Sequence, residues 1–165
     1  MSVIERKQTG FSLIEVMIAF FILAIGILGL TSLLTNSVKG NQGAYLRTQA
    51  IVAAQDMADR VRANKSDNYL GAASQNTKCI DNAGSCTANE MASHDLFEWN
   101  QALAATLPLG QGVVCSDDAP NDGASASNDG CEVNATLYAV KVWWDDNRDG
   151  QVNAADPRVV LSVAR

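Results

Sequence analysis

Three groups of residues in this sequence could do chemistry. The first is the stretch DDNRDGQVNAAD, Asp145–Asp156. Asp145, Asn147 and Asp149 stand at its first, third and fifth positions, with Gly150 sixth, which is the oxygen-ligand spacing of a calcium loop. Gln151 would add its backbone carbonyl, Asn153 a ninth-position oxygen, and Asp156 a twelfth-position carboxylate shorter than the usual Glu. Hard oxygens suit Ca²⁺, and only three carboxylates predict weak binding, on the order of 10⁻⁴ to 10⁻³ M, as in extracellular sites. The competing expectation is a hydrated hairpin loop.

The second is Glu15, a single carboxylate at the mouth of an oily run, GFSLIEVMIAFFILAIGILGLTSLL. A charge in such a helix costs about 2.5–3.5 kcal/mol at the bilayer centre and less near the interface. It persists where a partner neutralises it. The third is the set Cys79, Cys86, Cys115 and Cys131, an even number with no C-x-x-C, in loop-rich sequence. Outside the cytoplasm this reads as two disulfides. Three pairings are open; short-loop closure favours Cys79–Cys86 and Cys115–Cys131.

Enzymatic chemistry finds little support. There is one histidine, His94, and no nucleophile motif, phosphate loop or catalytic metal cluster. The formal net charge of −6 disfavours generic nucleic-acid binding.

These groups need elements to position them. Val16 to Val38 carries no charge, and at helical rise it spans roughly 35 Å, enough to cross a bilayer core of about 30 Å. Gly26 and Gly29 interrupt it, as close-packing points, melting points or tolerated small residues. The helix is expected to continue through LRTQAIVAAQDMADRVRAN. Its stripe of Ile51, Ala54, Ala58 and Val61 should lie on a sheet, and Asn64 should stop it. Residues 65–86 read as irregular. HDLFEWNQALAATLP reads as a short helix with Asp95 and Glu98 at capping-box spacing, a face of Leu96, Trp99, Leu103 and Leu107, and Pro108 at its end. His94, just before that start, is expected at the surface. Cys115–Cys131 reads as a loop, residues 133–144 as a strand, and Arg158–Ala164 as its partner.

The order of the N-terminal signals is unusual. Arg6 and Lys7 precede the oily run directly, with Gly10 and Phe11 at the junction. The motif K-x-x-G-F-S-L-I-E-V, Lys7 to Val16, resembles the leader of type IV prepilins and pseudopilins. That resemblance implies cleavage after Gly10 by a prepilin peptidase, N-methylation of Phe11 and an assembly role for Glu15. A neighbour's Phe11 amine could then neutralise Glu15, an ion pair better at fixing register than at adding stability. Arg6 and Lys7 fit a cytoplasmic leader.

The resemblance also implies an α+β, pilin-like fold. A long N-terminal helix, half transmembrane and half amphipathic, packs on an antiparallel β-sheet head. The expected division is leader 1–10, transmembrane and filament-core helix 11–38, and head 39–165. AIGILGLTSLL, AYLRTQAIVAAQDMADRVRAN, DLFEWNQALAATLPLGQG and VKVWWDD together look like PilV-type minor pilins. Such subunits help initiate a type IV pilus and sit in its tip complex, with other minor pilins and the major pilin as partners. The implied location is the inner membrane, head in the periplasm, and then the surface pilus. A minor pseudopilin of a type II secretion system, or a tip adhesin or DNA-uptake module, are the alternatives.

Overall fold

The computed structural model describes residues 10, 12–64, 66–80, 86–133 and 135–164. The chain divides into two compact units, Met1–Gln42 and Gly43–Arg165. Helix α1, Leu13–Ala63, contributes to both.

In the first unit α1 starts where the Ser12 carbonyl accepts the Glu15 and Val16 amides. Leu, Ile, Met and Ala favour the helix, and Glu15 complements the positive end of its dipole. Gly26 and Gly29 have open space around them, so neither is demanded by a close contact within the chain. Every described residue from Ser12 to Gln42 is exposed. The helix is long and apolar enough to cross a membrane, with a mean hydropathy of 2.7 in its most apolar window.

The second unit is built on the later turns of α1. Ala50, Ala54, Met57, Ala58 and Val61 are buried there. Ile51, expected on that stripe, is 36% exposed. The inward face runs one residue earlier, through Ala50, where alanines let other groups come close. Arg60 and Arg62 close the helix at its negative end, and Ala63 is its last residue.

Helix α2 spans Ala88–Thr106 and begins earlier than the sequence suggests. Its cap is Thr87: the Glu90 amide donates to Thr87 Oγ1, and Glu90 Oε2 accepts the Thr87 amide at 2.9 Å. That reciprocal capping box, not Asp95 with Glu98, sets the start. His94 therefore lies inside α2 and is 5% exposed, correcting its expected surface position. Its Nδ1 accepts the Asn76 amide, and its Nε2 lies 3.4 Å from Glu98 Oε1. Leu96, Trp99, Leu103 and Leu107 are buried on one face.

The sheet has three antiparallel strands in the order β1 (Gln111–Ser116), β2 (Leu137–Trp143) and β3 (Arg158–Ala164). β1 is not anticipated from sequence: its last two residues, Cys115 and Ser116, fall in the stretch read as a loop. Val140 pairs with Val114 on one side and Leu161 on the other. Tyr138, Val140, Val142 and Trp144 form one core with Tyr69, the α1 alanines and α2. Gly112 is obligatory there, since a Cβ would fall 2.3 Å from the Trp99 ring.

The opposite face of β2 is also covered. Ala139, Lys141 and Trp143 are wholly buried. Their cover is the loop 117–130, whose ends are joined by Cys115–Cys131. One side chain from each strand holds it. Gln111 accepts the Ala126 amide, Lys141 donates to the Asp129 carbonyl at 2.7 Å, and Arg158 donates to the carbonyls of Asn121 and Gly123.

Candidate functional site

Two regions hold the expected site residues, one in each unit. In the first unit Glu15 is exposed in the opening turn of α1. It borders a shallow groove with Val16, Ala19, Phe20 and Leu23, almost wholly apolar apart from its own carboxylate. Among the described residues no cationic group pairs with Glu15. Gly10 is described and exposed; Phe11, Arg6 and Lys7 lie outside the described residues.

The second region is the loop Asp145–Asp156 between β2 and β3. Two conformations with positive φ allow its turn, Arg148 at 60° and Gly150 at 85°. Asp145 is 3% exposed; its carboxylate accepts the amides of Asp149 and Gly150, the latter at 2.9 Å. Asn147 Oδ1 also accepts the Asp149 amide, at 2.8 Å, and Asp149 Oδ1 accepts that of Gln151, at 2.9 Å. Asp156, 6% exposed, reaches back to accept the amides of Asp146 and Asn153. Asn153 Oδ1 accepts the Ala155 amide. So the side chains of Asp145, Asn147, Asp149, Asn153 and Asp156 all fold onto the loop's own backbone. Gln151 enters the network through its amide.

Charge is the notable feature here. None of these carboxylates has a cationic partner among the described ion pairs, although two of them are nearly buried. Their oxygens are not gathered into one tight trio. The described trio of candidate metal-binding side chains is Cys115, Asp117 and Cys131, and both its cysteines are in a disulfide. Asp146, which the motif skips, anchors the loop: it accepts the Trp144 indole N–H at 3.2 Å, while the Asp145 amide donates to the Pro108 carbonyl. No spacing rule marks either contact.

The four cysteines form two bridges, Cys79–Cys86 and Cys115–Cys131. The first begins where a segment carrying two 3-10 turns ends, Asp67–Leu70 capped by Ser66 and Thr77–Cys79 capped by Asn76.

A polar cluster ties that segment to both helices. Asp95 accepts the Tyr69 hydroxyl at 2.6 Å and Arg60 Nη1 at 2.8 Å, and Arg60 also reaches Asp56 and Glu98. Burial, then the bond to Asp95, raises the Tyr69 pKa well above its ordinary value. The groove beside them is lined by Asp56, Arg60, Glu98, Trp99 and Thr106 among others.

Comparison with known proteins adds two matches. Residues 6–31 match the family model described as "Prokaryotic N-terminal methylation motif". Residues 32–97 match the model described as "Type IV pilin Tt1218". No curated protein and no solved structure matches the chain.

Proposed function

Taking as premise that this chain is a type IV pilin-like protein, with a pilin role in a pilus or pseudopilus, we propose that it is a minor pilin of a type IV pilus. In this reading it helps initiate assembly and sits in the tip complex, beside other minor pilins and the major pilin. One observation carries the proposal: an apolar helix whose described residues from Ser12 to Gln42 are all exposed. Such a surface requires a covering, first by lipid and then by the helices of neighbouring subunits. The leader 1–10 would be removed by a prepilin peptidase, the helix 11–38 retained, and the head 39–165 held in the periplasm before reaching the cell surface.

Glu15 then has a task. As subunits stack, its carboxylate meets the Phe11 amine of a neighbour and sets the height at which each docks. Removing one partner of a desolvated pair is costly, so mis-registered docking is disfavoured. The chain acts structurally rather than as an enzyme.

The test is a Glu15→Ala variant in the native host. It should be exported and trimmed to begin at Phe11, yet fail to enter filaments. Normal incorporation, or an N-terminus at any other residue, contradicts the reading. A deletion strain separates the alternatives: lost twitching fits a pilus, lost enzyme secretion a pseudopilus. A tip adhesin or DNA-uptake module would instead lose surface or DNA binding with filaments intact.

We further propose that Asp145–Asp156 takes Ca²⁺ weakly. The ligand-type spacing supports this, as do two nearly buried carboxylates, Asp145 and Asp156, without a cationic partner among the described residues. Asp145, Asn147, Asp149, Asn153 and Asp156 would supply side-chain oxygens and Gln151 its carbonyl, a hard-oxygen set matched to that ion. Bound calcium would neutralise the loop.

A further inference from the structure

Beneath the loop 117–130 a lysine and an aspartate meet in a fixed geometry. Lys141 and Asp117 have wholly buried side chains, and Lys141 Nζ lies 2.5 Å from Asp117 Oδ2. Ala139 and Trp143, the neighbours of Lys141 on that face of β2, are wholly buried too. Asp117 is held in place. Its amide donates to the Leu137 carbonyl at 3.0 Å, and its Oδ1 accepts the Ala119 amide at 2.8 Å, which leaves Oδ2 to the lysine. The Asp129 carbonyl accepts from Nζ at 2.7 Å. A second carboxylate, Asp122, stands 2.9 Å from the same nitrogen with its side chain 53% exposed.

These are the parts of an amide condensation. There is a nitrogen nucleophile, a carboxyl carbon one bond from the oxygen it touches, and a second carboxylate able to move protons. Ionised, the three side chains are one ammonium and two carboxylates. Moving one proton from Nζ to Asp117 gives an amine, a carboxylic acid and the Asp122 carboxylate, with no exchange with solvent. In bulk water that neutral pair is strongly disfavoured. In a buried site the charged pair loses its hydration, which narrows the gap. Burial opposes the ammonium, but the bonds to Asp117 and Asp122 hold its proton, so the reactive form is scarce and the reaction slow. Fixed contact compensates, since well-oriented partners react as though at about 10⁵–10⁸ M.

We propose that Lys141 and Asp117 condense into an intramolecular amide, with Asp122 as the catalytic acid and base. The Lys141 nitrogen attacks Cγ of Asp117. The Asp122 carboxylate takes a proton from that nitrogen and returns it to the departing hydroxyl, which leaves as water. The Nζ–Cγ bond forms, one Cγ–O bond breaks, nothing is oxidised or reduced, and Asp122 ends as it began. The ion pair is the precursor, and it is the state of every chain that has not condensed. The product ties the cover loop to β2 by a bond that reduction of Cys115–Cys131 leaves closed. This proposal stands on the head alone and does not depend on the minor-pilin reading.

The test uses the full chain in detergent, aged at neutral pH, then reduced and alkylated. Its intact mass should fall by one water in a fraction that grows with time. Digestion should release a branched peptide joining Asp117 to Lys141. Lys141→Arg keeps a cation beside Asp117 and should lose no water. Asp122→Asn should slow the loss at least about tenfold. A mass that stays at the value of the linear chain overturns the proposal. A water loss shared by Lys141→Arg also overturns it, since aspartyl cyclisation at Asp122–Gly123 or Asp149–Gly150 would give that result. A rate that Asp122→Asn leaves unchanged does the same. Should Lys141→Arg not fold, the digest of the unsubstituted chain decides, and without the branched peptide the proposal fails.

Discussion

Lys141 Nζ lies 2.5 Å from Asp117 Oδ2, and both side chains are wholly buried beneath the loop 117–130. Asp122, at 2.9 Å, and the Asp129 carbonyl complete the ammonium's shell. Burial opposes the lysine's charge, but the bonds to Asp117 and Asp122 prevail and raise its pKa. Breaking a buried pair strands the surviving charge. Lys141→Ala and Asp117→Ala should therefore each lower stability by about 3–5 kcal/mol in denaturant melts. Combining them should cost clearly less than the sum, because the second change removes the stranded partner.

Stability should fall at both ends of the pH scale. The bond from Lys141 lowers the Asp122 pKa, and the Thr136 hydroxyl lowers that of Asp118. The Thr87 amide and hydroxyl, then Lys78, pull Glu90 down to about 2. Carboxyls with a depressed folded pKa bind fewer protons folded than unfolded. Their contribution is thus present above the unfolded value of about 4 and lost as pH falls through the folded one. Lys141 has the opposite sign: its contribution holds below about 10.4 and is lost as pH rises through its raised value. Melts from pH 2 to 12 should show a plateau between these limits. An acid limb unchanged in Asp122→Asn with Asp118→Asn would contradict the assignment.

The three tryptophans should respond unequally to replacement by phenylalanine. The Trp99 indole N–H donates to the Ala53 carbonyl at 2.9 Å and that of Trp144 to Asp146, while the buried Trp143 N–H has no partner among the described residues. An unmet buried donor costs about 1–3 kcal/mol, so removing it offsets part of the lost packing. Trp143→Phe should be the mildest of the three in a thermal melt.

If the loop Asp145–Asp156 takes calcium with a Kd near 10⁻⁴ M, 1 mM Ca²⁺ should stabilise the head by about 1.4 kcal/mol. Melts with calcium and with chelator measure this directly. Asp145→Asn should abolish the response. Identical melts would leave a hydrated loop as the better description.

Much of the fold was legible because it rests on periodicity and end signals. The charge-free run, the Asn64 stop, Leu96 with Trp99 and Leu103, and the strand read over 133–144 each map onto an element. The start of α2 was missed because Thr87 and Glu90 are polar and precede the apolar face, so the stronger-looking Asp95–Glu98 spacing displaced them. β1 was missed because QGVVCS is short and holds a glycine that only makes sense beside Trp99. At the loop Asp145–Asp156 the ligand-type residues were readable from spacing. The anchoring contacts of Asp146 with Trp144 and of Asp145 with Pro108 were not, because they depend on tertiary placement. The burial of Lys141 was hidden too, since its counter-charges sit about twenty positions upstream.

The grip of Arg158 on the carbonyls of Asn121 and Gly123 has a bearing on how the head matures. A segment made early waits for a latch made late. Until residue 158 has left the ribosome, the outer side of the sheet lacks its final fastening, with Lys141 only partly roofed. Trimming the chain within its last strand should therefore loosen a lid some forty residues upstream. Proteolysis at 118–123 would report that damage before the far side of the sheet unravels.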